Sequence, residues 1–147
     1  MGDHPQTRLF VATDGSPAAM SATRCAMVMA RSCGGVVHVV VVVSGEPDAR
    51  GVPTRGRGDA DRTLAHAARL GMDSGVETSV EVVEEGRRDT YEAILEAADR
   101  WGTDFLFVGR TGRHGPGRAM MGSQAEHVLE FSEVPVVVVP PAYGGRR

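Results

Sequence analysis

Gly109, Gly112, Gly122 and Ser123 have the residue types and the spacing of a phosphate cradle. The apolar run Phe105–Val108 ends at Gly109, a second glycine follows three residues on, and nine residues separate Gly112 from Gly122–Ser123. Glycines let backbone N–H groups reach a phosphate with no side chain between, and a helix N-terminus adds a dipole that favours an anion. The pattern is neither a Walker A loop nor a dinucleotide fingerprint, because the chain has no Gly-Lys-Ser/Thr and no Gly-x-Gly-x-x-Gly. Even with 19 glycines in 147 residues, the full spacing arises by chance only on the order of 0.03 times.

A second turn carries its own chemistry. Leu9–Thr13 reads as a short apolar strand that runs into Asp14-Gly15-Ser16-Pro17. Asp14 can accept hydrogen bonds from ribose hydroxyls or organise its own turn. Ser16 is a good helix N-cap, with Pro17 at the first helical position.

The elements between these turns alternate. A helix with Ala19, Ala22, Ala26, Met29 and Cys33 on one face stops at Gly34-Gly35. Val36–Val43 is almost continuously apolar, as a strand buried on both faces of a parallel sheet is. A helix follows over about Asp59–Met72, and a strand over Thr78–Val83. Thr90 then caps a helix whose apolar face is Tyr91, Ile94, Leu95, Ala98 and Trp101. Asp104–Val108, Ser123–Phe131 and Val134–Val139 complete the series as strand, helix and strand. The order βαβαβαβαβ implies an α/β fold, one doubly wound five-stranded parallel sheet with helices on both faces. In strand order 3-2-1-4-5 the winding reverses between the first and fourth strands, so Asp14 and Gly109 face each other across the ligand crevice.

Composition narrows the function classes. One domain is expected over residues 1–147, with an irregular Gly-, Pro- and Arg-rich loop at 44–58 and a short tail at 141–147. Arg50, Arg55 and Arg57 could approach a phosphate from that loop. The net charge of −3 gives no reason to expect a nucleic-acid partner or a membrane surface. No apolar run spans a bilayer, and Met1–Arg8 has no signal-peptide pattern. Cys25 and Cys33 read as small, reduced core residues of a cytoplasmic protein. No nucleophile–His–Asp arrangement, no metal spacing among His38, His66, His114 and His127, and no Walker-type lysine is legible. The expectation is therefore a binding module, with no catalytic or metal-ligating residue assigned.

The chain resembles the universal stress protein family, in its nucleotide-binding branch. The resemblance rests on Val11–Ser16, the valine-rich second strand, Asp104–Gly109, Val134–Val139 and the motif Gly109, Gly112, Gly122, Ser123. It implies a Rossmann-like fold of the adenine nucleotide alpha hydrolase type that binds ATP, with or without Mg²⁺. Asp14 and the backbone at Ala12 and Thr13 would hold the adenosine end, and Val40 or Val41 would pack on adenine. Gly109 and Gly112 would border ribose and phosphates, Gly122 and Ser123 would hold phosphates, and Arg110 and Gln124 flank them. Gln124 stands where the family more often has a small or β-branched residue, and Arg113–Arg118 carries two extra glycines and a proline. Slow ATP hydrolysis or self-phosphorylation is the most activity implied, in a stress or signalling role. Alternatives are a cyclic AMP or other adenine-nucleotide binder, and a scaffold without nucleotide. Val134–Val139, an edge strand without charge, would pair with its copy in a homodimer, since the tail Pro140–Arg147 is short and polar.

Overall fold

The computed structural model describes residues 5–44, 57–111 and 121–143. Its five strands are β1 (Arg8–Ala12), β2 (Val36–Val43), β3 (Thr78–Glu84), β4 (Phe105–Gly109) and β5 (Val136–Val139). They are all parallel, in the order β3-β2-β1-β4-β5 expected from the sequence. Helices α1 (Pro17–Cys33), α2 (Arg57–Ser74), α3 (Thr90–Trp101) and α4 (Ser123–Phe131) form the connections.

The sheet is buried on both sides, which explains its valines. All eight residues of β2 are buried. Val37, Val39, Val41 and Val43 pack with Leu9, Val11 and Phe107 against α1 and α2. Val40 and Val42 pack with Phe10, Leu106 and Val108 against α3 and α4. Strand alternation thus feeds two separate apolar layers.

Helix ends follow local chemistry. Gly34 closes α1 in the left-handed region at φ 70°, and its N–H donates to Ala30 O. Three expectations shift. The N-cap of α3 is Asp89 rather than Thr90, and its N–H donates to Glu92 Oε1 at 3.0 Å in a capping box. Thr90 Oγ1 instead donates to Glu85 Oε2 at 2.7 Å. The last strand begins at Val136 rather than Val134, because Pro135 contributes to the ladder only its carbonyl, which accepts from Leu106 N–H at 2.9 Å. Cys33 is exposed at the end of α1, not in the core. Cys25 is half-buried, and burial pushes its thiol up despite a hydrogen bond with Tyr143.

The chain after β5 turns onto α1. Ser21 Oγ, buried on α1, lies 3.0 Å from Pro141 O and 3.2 Å from Tyr143 O, and Tyr143 packs on the α1 core. Residues 140–143 therefore leave the outer edge of β5 unpaired among the described residues. None of the described helices is long and apolar enough to cross a membrane.

Candidate functional site

The crevice is built from two turns that meet where the sheet's winding reverses. The first leaves β1. Thr13 N–H donates to Val40 O at 2.9 Å, which ties the chain to β2 one residue beyond the strand. Thr13 Oγ1 accepts from Gly15 N–H at 3.1 Å, and Asp14 Oδ1 accepts from Ser16 N–H at 2.9 Å. This double side-chain turn requires the left-handed conformation of Gly15, at φ 79°. Ser16 then caps α1, its Oγ accepting from Ala19 N–H at 3.3 Å. Asp14 thus has the turn-forming role that its sequence context allowed.

The second turn leaves β4. Arg110 N–H donates to Val139 O at 2.8 Å, which continues the β4–β5 ladder one residue past the strand. Gly122 N–H donates to Arg110 O at 2.8 Å, so the start of α4 is pinned beside the end of β4. Gly122, not Ser123, is the N-cap of α4, and no side chain caps the helix. Ser123 and Gln124 are the first helical residues, and both are exposed. Among the described residues, the first N–H groups of α4 therefore lack a built-in acceptor side chain, as an anion site at a helix start needs.

Two contacts join the turns. Ser16 Oγ lies 3.5 Å from Thr111 O, a bridge between segments 95 residues apart. Gly109 packs against the first turn of α1 so closely that a Cβ there would lie 2.6 Å from Ala18 C and Ala19 N. Its glycine is required by this backbone approach, before any ligand is considered. Sequence reading found both turns but not the Ser16–Thr111 bridge. Its only local signal is the capping Ser-Pro dipeptide.

The electrostatics of the second turn are unbalanced. Leu106 and Val108 face α3 and α4, whereas Phe107 and Gly109 face α1. Continuing the alternation turns Arg110 toward α4. Arg110 Nε is buried and has no hydrogen-bond partner among the described residues. A guanidinium beside a helix N-terminus adds positive charge to the positive end of a dipole, an arrangement that an anion would relieve.

Ala12 and Thr13 are buried beside Asp14, at 8% and 5% exposure. Val40 and Val41 are both buried, on opposite faces of β2. Gly112, the stretch Arg113–Arg118 with His114, and the 45–56 part of the Arg-rich loop lie outside the described residues, as does the side chain of Arg57. No three His, Cys, Asp or Glu side chains among the described residues are grouped as a metal site requires. A hollow of about 320 Å³ between α3 and α4, lined by Leu95, Asp99, Leu106, Phe131 and Val134, sits toward the opposite end of the sheet from the crevice.

The model of the universal stress protein family matches residues 7–140. A universal stress protein of Methanocaldococcus jannaschii is 26% identical, across 94% of this chain and 84% of its own length. A solved universal stress protein in complex with cAMP has a TM-score of 0.72 at 20% identity, covering 92% of this chain and 98% of that one. A universal stress protein family protein of Arabidopsis thaliana with AMP bound has a TM-score of 0.69 at 17% identity, covering 91% of each chain. At these identities the two structures establish a shared fold.

Proposed function

The chain belongs to the universal stress protein family, and from that premise we propose that it binds an adenine nucleotide, ATP foremost, between β1 and β4. One observation carries the reading: the two turns converge at the switch point, where Arg110 Nε is buried without a partner among the described residues. The residues present fit a phosphate. Arg110 offers a charge-assisted donor, and α4 offers N–H groups that no side chain caps. Asp14 and the backbone at Ala12 and Thr13 take the adenosine end, and Val40 or Val41 the base. Gly109 and Gly112 border the ribose and phosphates, with Gly122, Ser123 and Gln124 along the phosphates. Mg²⁺ enters with the nucleotide, since no acidic pair on the protein is assigned to it.

The protein works as a nucleotide-responsive stress or signalling module, with slow hydrolysis or self-phosphorylation as its upper limit of activity. It acts as a homodimer through β5, whose outer edge is unpaired among the described residues and carries no charge. Its place is the cytoplasm, where Cys25 and Cys33 stay reduced.

Titration calorimetry on nucleotide-stripped protein tests the ligand. ATP–Mg²⁺, ADP, AMP and cyclic AMP are compared, with adenosine as the phosphate-free control. The expected order places ATP first and adenosine last. Tightest binding of cyclic AMP would move the protein to cyclic-nucleotide sensing. No heat with any of the five would favour the scaffold reading.

A further inference from the structure

At the opposite end of the sheet, away from the crevice, the start of β2 holds a histidine in a polar relay. His38 is 7% exposed. Its Nε2 lies 2.9 Å from Glu81 Oε1, and its Nδ1 lies 2.7 Å from Ser79 Oγ. With Glu81 ionised, Nε2–H donates to the carboxylate and the Nδ1 lone pair accepts from the Ser79 hydroxyl. Glu81 is held in turn by Arg100, which donates to its second oxygen at 3.0 Å.

The imidazole cannot tilt freely. It stacks on Trp101 at 5.1 Å and 18°, with Phe10 at 5.8 Å. Trp101 is itself covered by the Arg8 guanidinium, 4.0 Å above its ring, and Arg8 Nε donates to Trp101 O at 2.9 Å. Ser79, by contrast, is exposed. A serine open to solvent, a buried base that accepts its proton and a carboxylate that orients the base are the parts of an activated nucleophile.

The strand supplies one more group. Val37 N–H donates to Glu77 O, and Val37 is in register with Thr78. In a parallel ladder Ser79 N–H then turns toward β2 and Val80 N–H toward the open edge. Because β3 is the edge strand among the described residues, Val80 N–H, next in sequence to the nucleophile, has no strand partner there and can meet an oxyanion.

We propose that Ser79, His38 and Glu81 form a nucleophilic site that accepts acyl groups from small activated esters, independently of the nucleotide crevice. Ser79 Oγ forms a bond to the acyl carbon while the bond to the leaving oxygen breaks. The hydroxyl proton passes to His38 Nδ1 and then to the leaving group, and water later releases the acid by the reverse route.

The test uses p-nitrophenyl acetate with the full chain. Peptide mass spectrometry locates the acetyl group, and p-nitrophenol release gives the rate. The chain contains no lysine, and the exposed Cys33, whose thiol would compete for the acetyl group, is replaced by alanine in every protein compared. Exposed Ser32, whose hydroxyl is 3.1 Å from Val28 O, serves as an internal control. Acetylation at Ser79 well ahead of Ser32 is expected, and Ser79→Ala should abolish the excess rate. His38→Gln should slow it by about 100-fold, the lower end of what a positioned general base supplies. Should His38→Gln fail to fold, Glu81→Gln, half-exposed on the edge strand, still has to lower the rate. Equal labelling of Ser79 and Ser32, or an unchanged rate in Glu81→Gln, would overturn the proposal.

Discussion

Replacing Gly109 by alanine is expected to lower the melting temperature by roughly 2–12 °C, because the new methyl group has nowhere to go. Its carbon would lie 2.6 Å from Ala18 C and Ala19 N, and 2.8 Å from Ala18 Cβ. Two of those three atoms are backbone in the first turn of α1, which is held by the Ser16 cap and by the chain leaving β1. Neither can swing aside as a flexible side chain would. Overpacking of this kind costs about 1–3 kcal/mol, and each kcal/mol moves the melting point by about 2–4 °C in a domain near this size. The displacement also opens the Ser16–Thr111 bridge, so nucleotide binding should weaken along with stability. Gly34→Ala is the contrasting control. It meets nothing within 4 Å but must adopt φ 70°, which costs about 1–2 kcal/mol and leaves the crevice intact. A Gly109→Ala protein as stable as the parent would mean that α1 and β4 do not approach this closely.

The second large effect separates binding from stability. Arg110→Met keeps a long side chain but removes a guanidinium whose Nε is buried without a partner among the described residues. A charge-assisted hydrogen bond to phosphate contributes about 1.5–3 kcal/mol, so ATP affinity should fall by about 10- to 150-fold. Adenosine, with no phosphate, should bind both proteins equally. The ligand-free variant should be at least as stable as the parent, since it no longer buries an unsatisfied donor at the positive end of α4. Loss of affinity with no loss of melting temperature marks a binding residue. Equal ATP affinity in the two proteins would remove Arg110 from the site.

These expectations draw on sequence and structure in different measure. The doubly wound parallel sheet followed from alternation of elements, whereas its order 3-2-1-4-5 was an assumption that alternation alone does not fix, and the span of α4 from Ser123 to Phe131 was legible because a glycine and a serine punctuate its start. Val36–Val43 announced a doubly buried strand by composition alone. The two turns were legible for the same local reason, since Asp-Gly-Ser-Pro and the spaced glycines are short-range signals. Long-range pairings were not. Glycine at 109 suggested room for a ligand, whereas its neighbours show first a need to admit α1, 90 residues earlier in the chain. His38 offered no motif, because its partners Ser79 and Glu81 are brought to it by the parallel register of β2 and β3 across 41 and 43 residues. Competition between adjacent candidates misled at Thr90. Asp89 and Thr90 can both cap a helix, and Glu92 decides for Asp89 by completing its capping box.

Thermal unfolding of the nucleotide-stripped protein, with and without ATP–Mg²⁺, tests the central claim most directly. A ligand at 100 times its dissociation constant stabilises the folded state by about 2.7 kcal/mol, which raises the melting temperature by roughly 5–10 °C in a domain near this size. The account predicts that rise, growing with ATP concentration and smaller in Arg110→Met at the same concentration. An unchanged melting temperature at every ATP concentration up to the millimolar range would contradict ATP binding in the crevice.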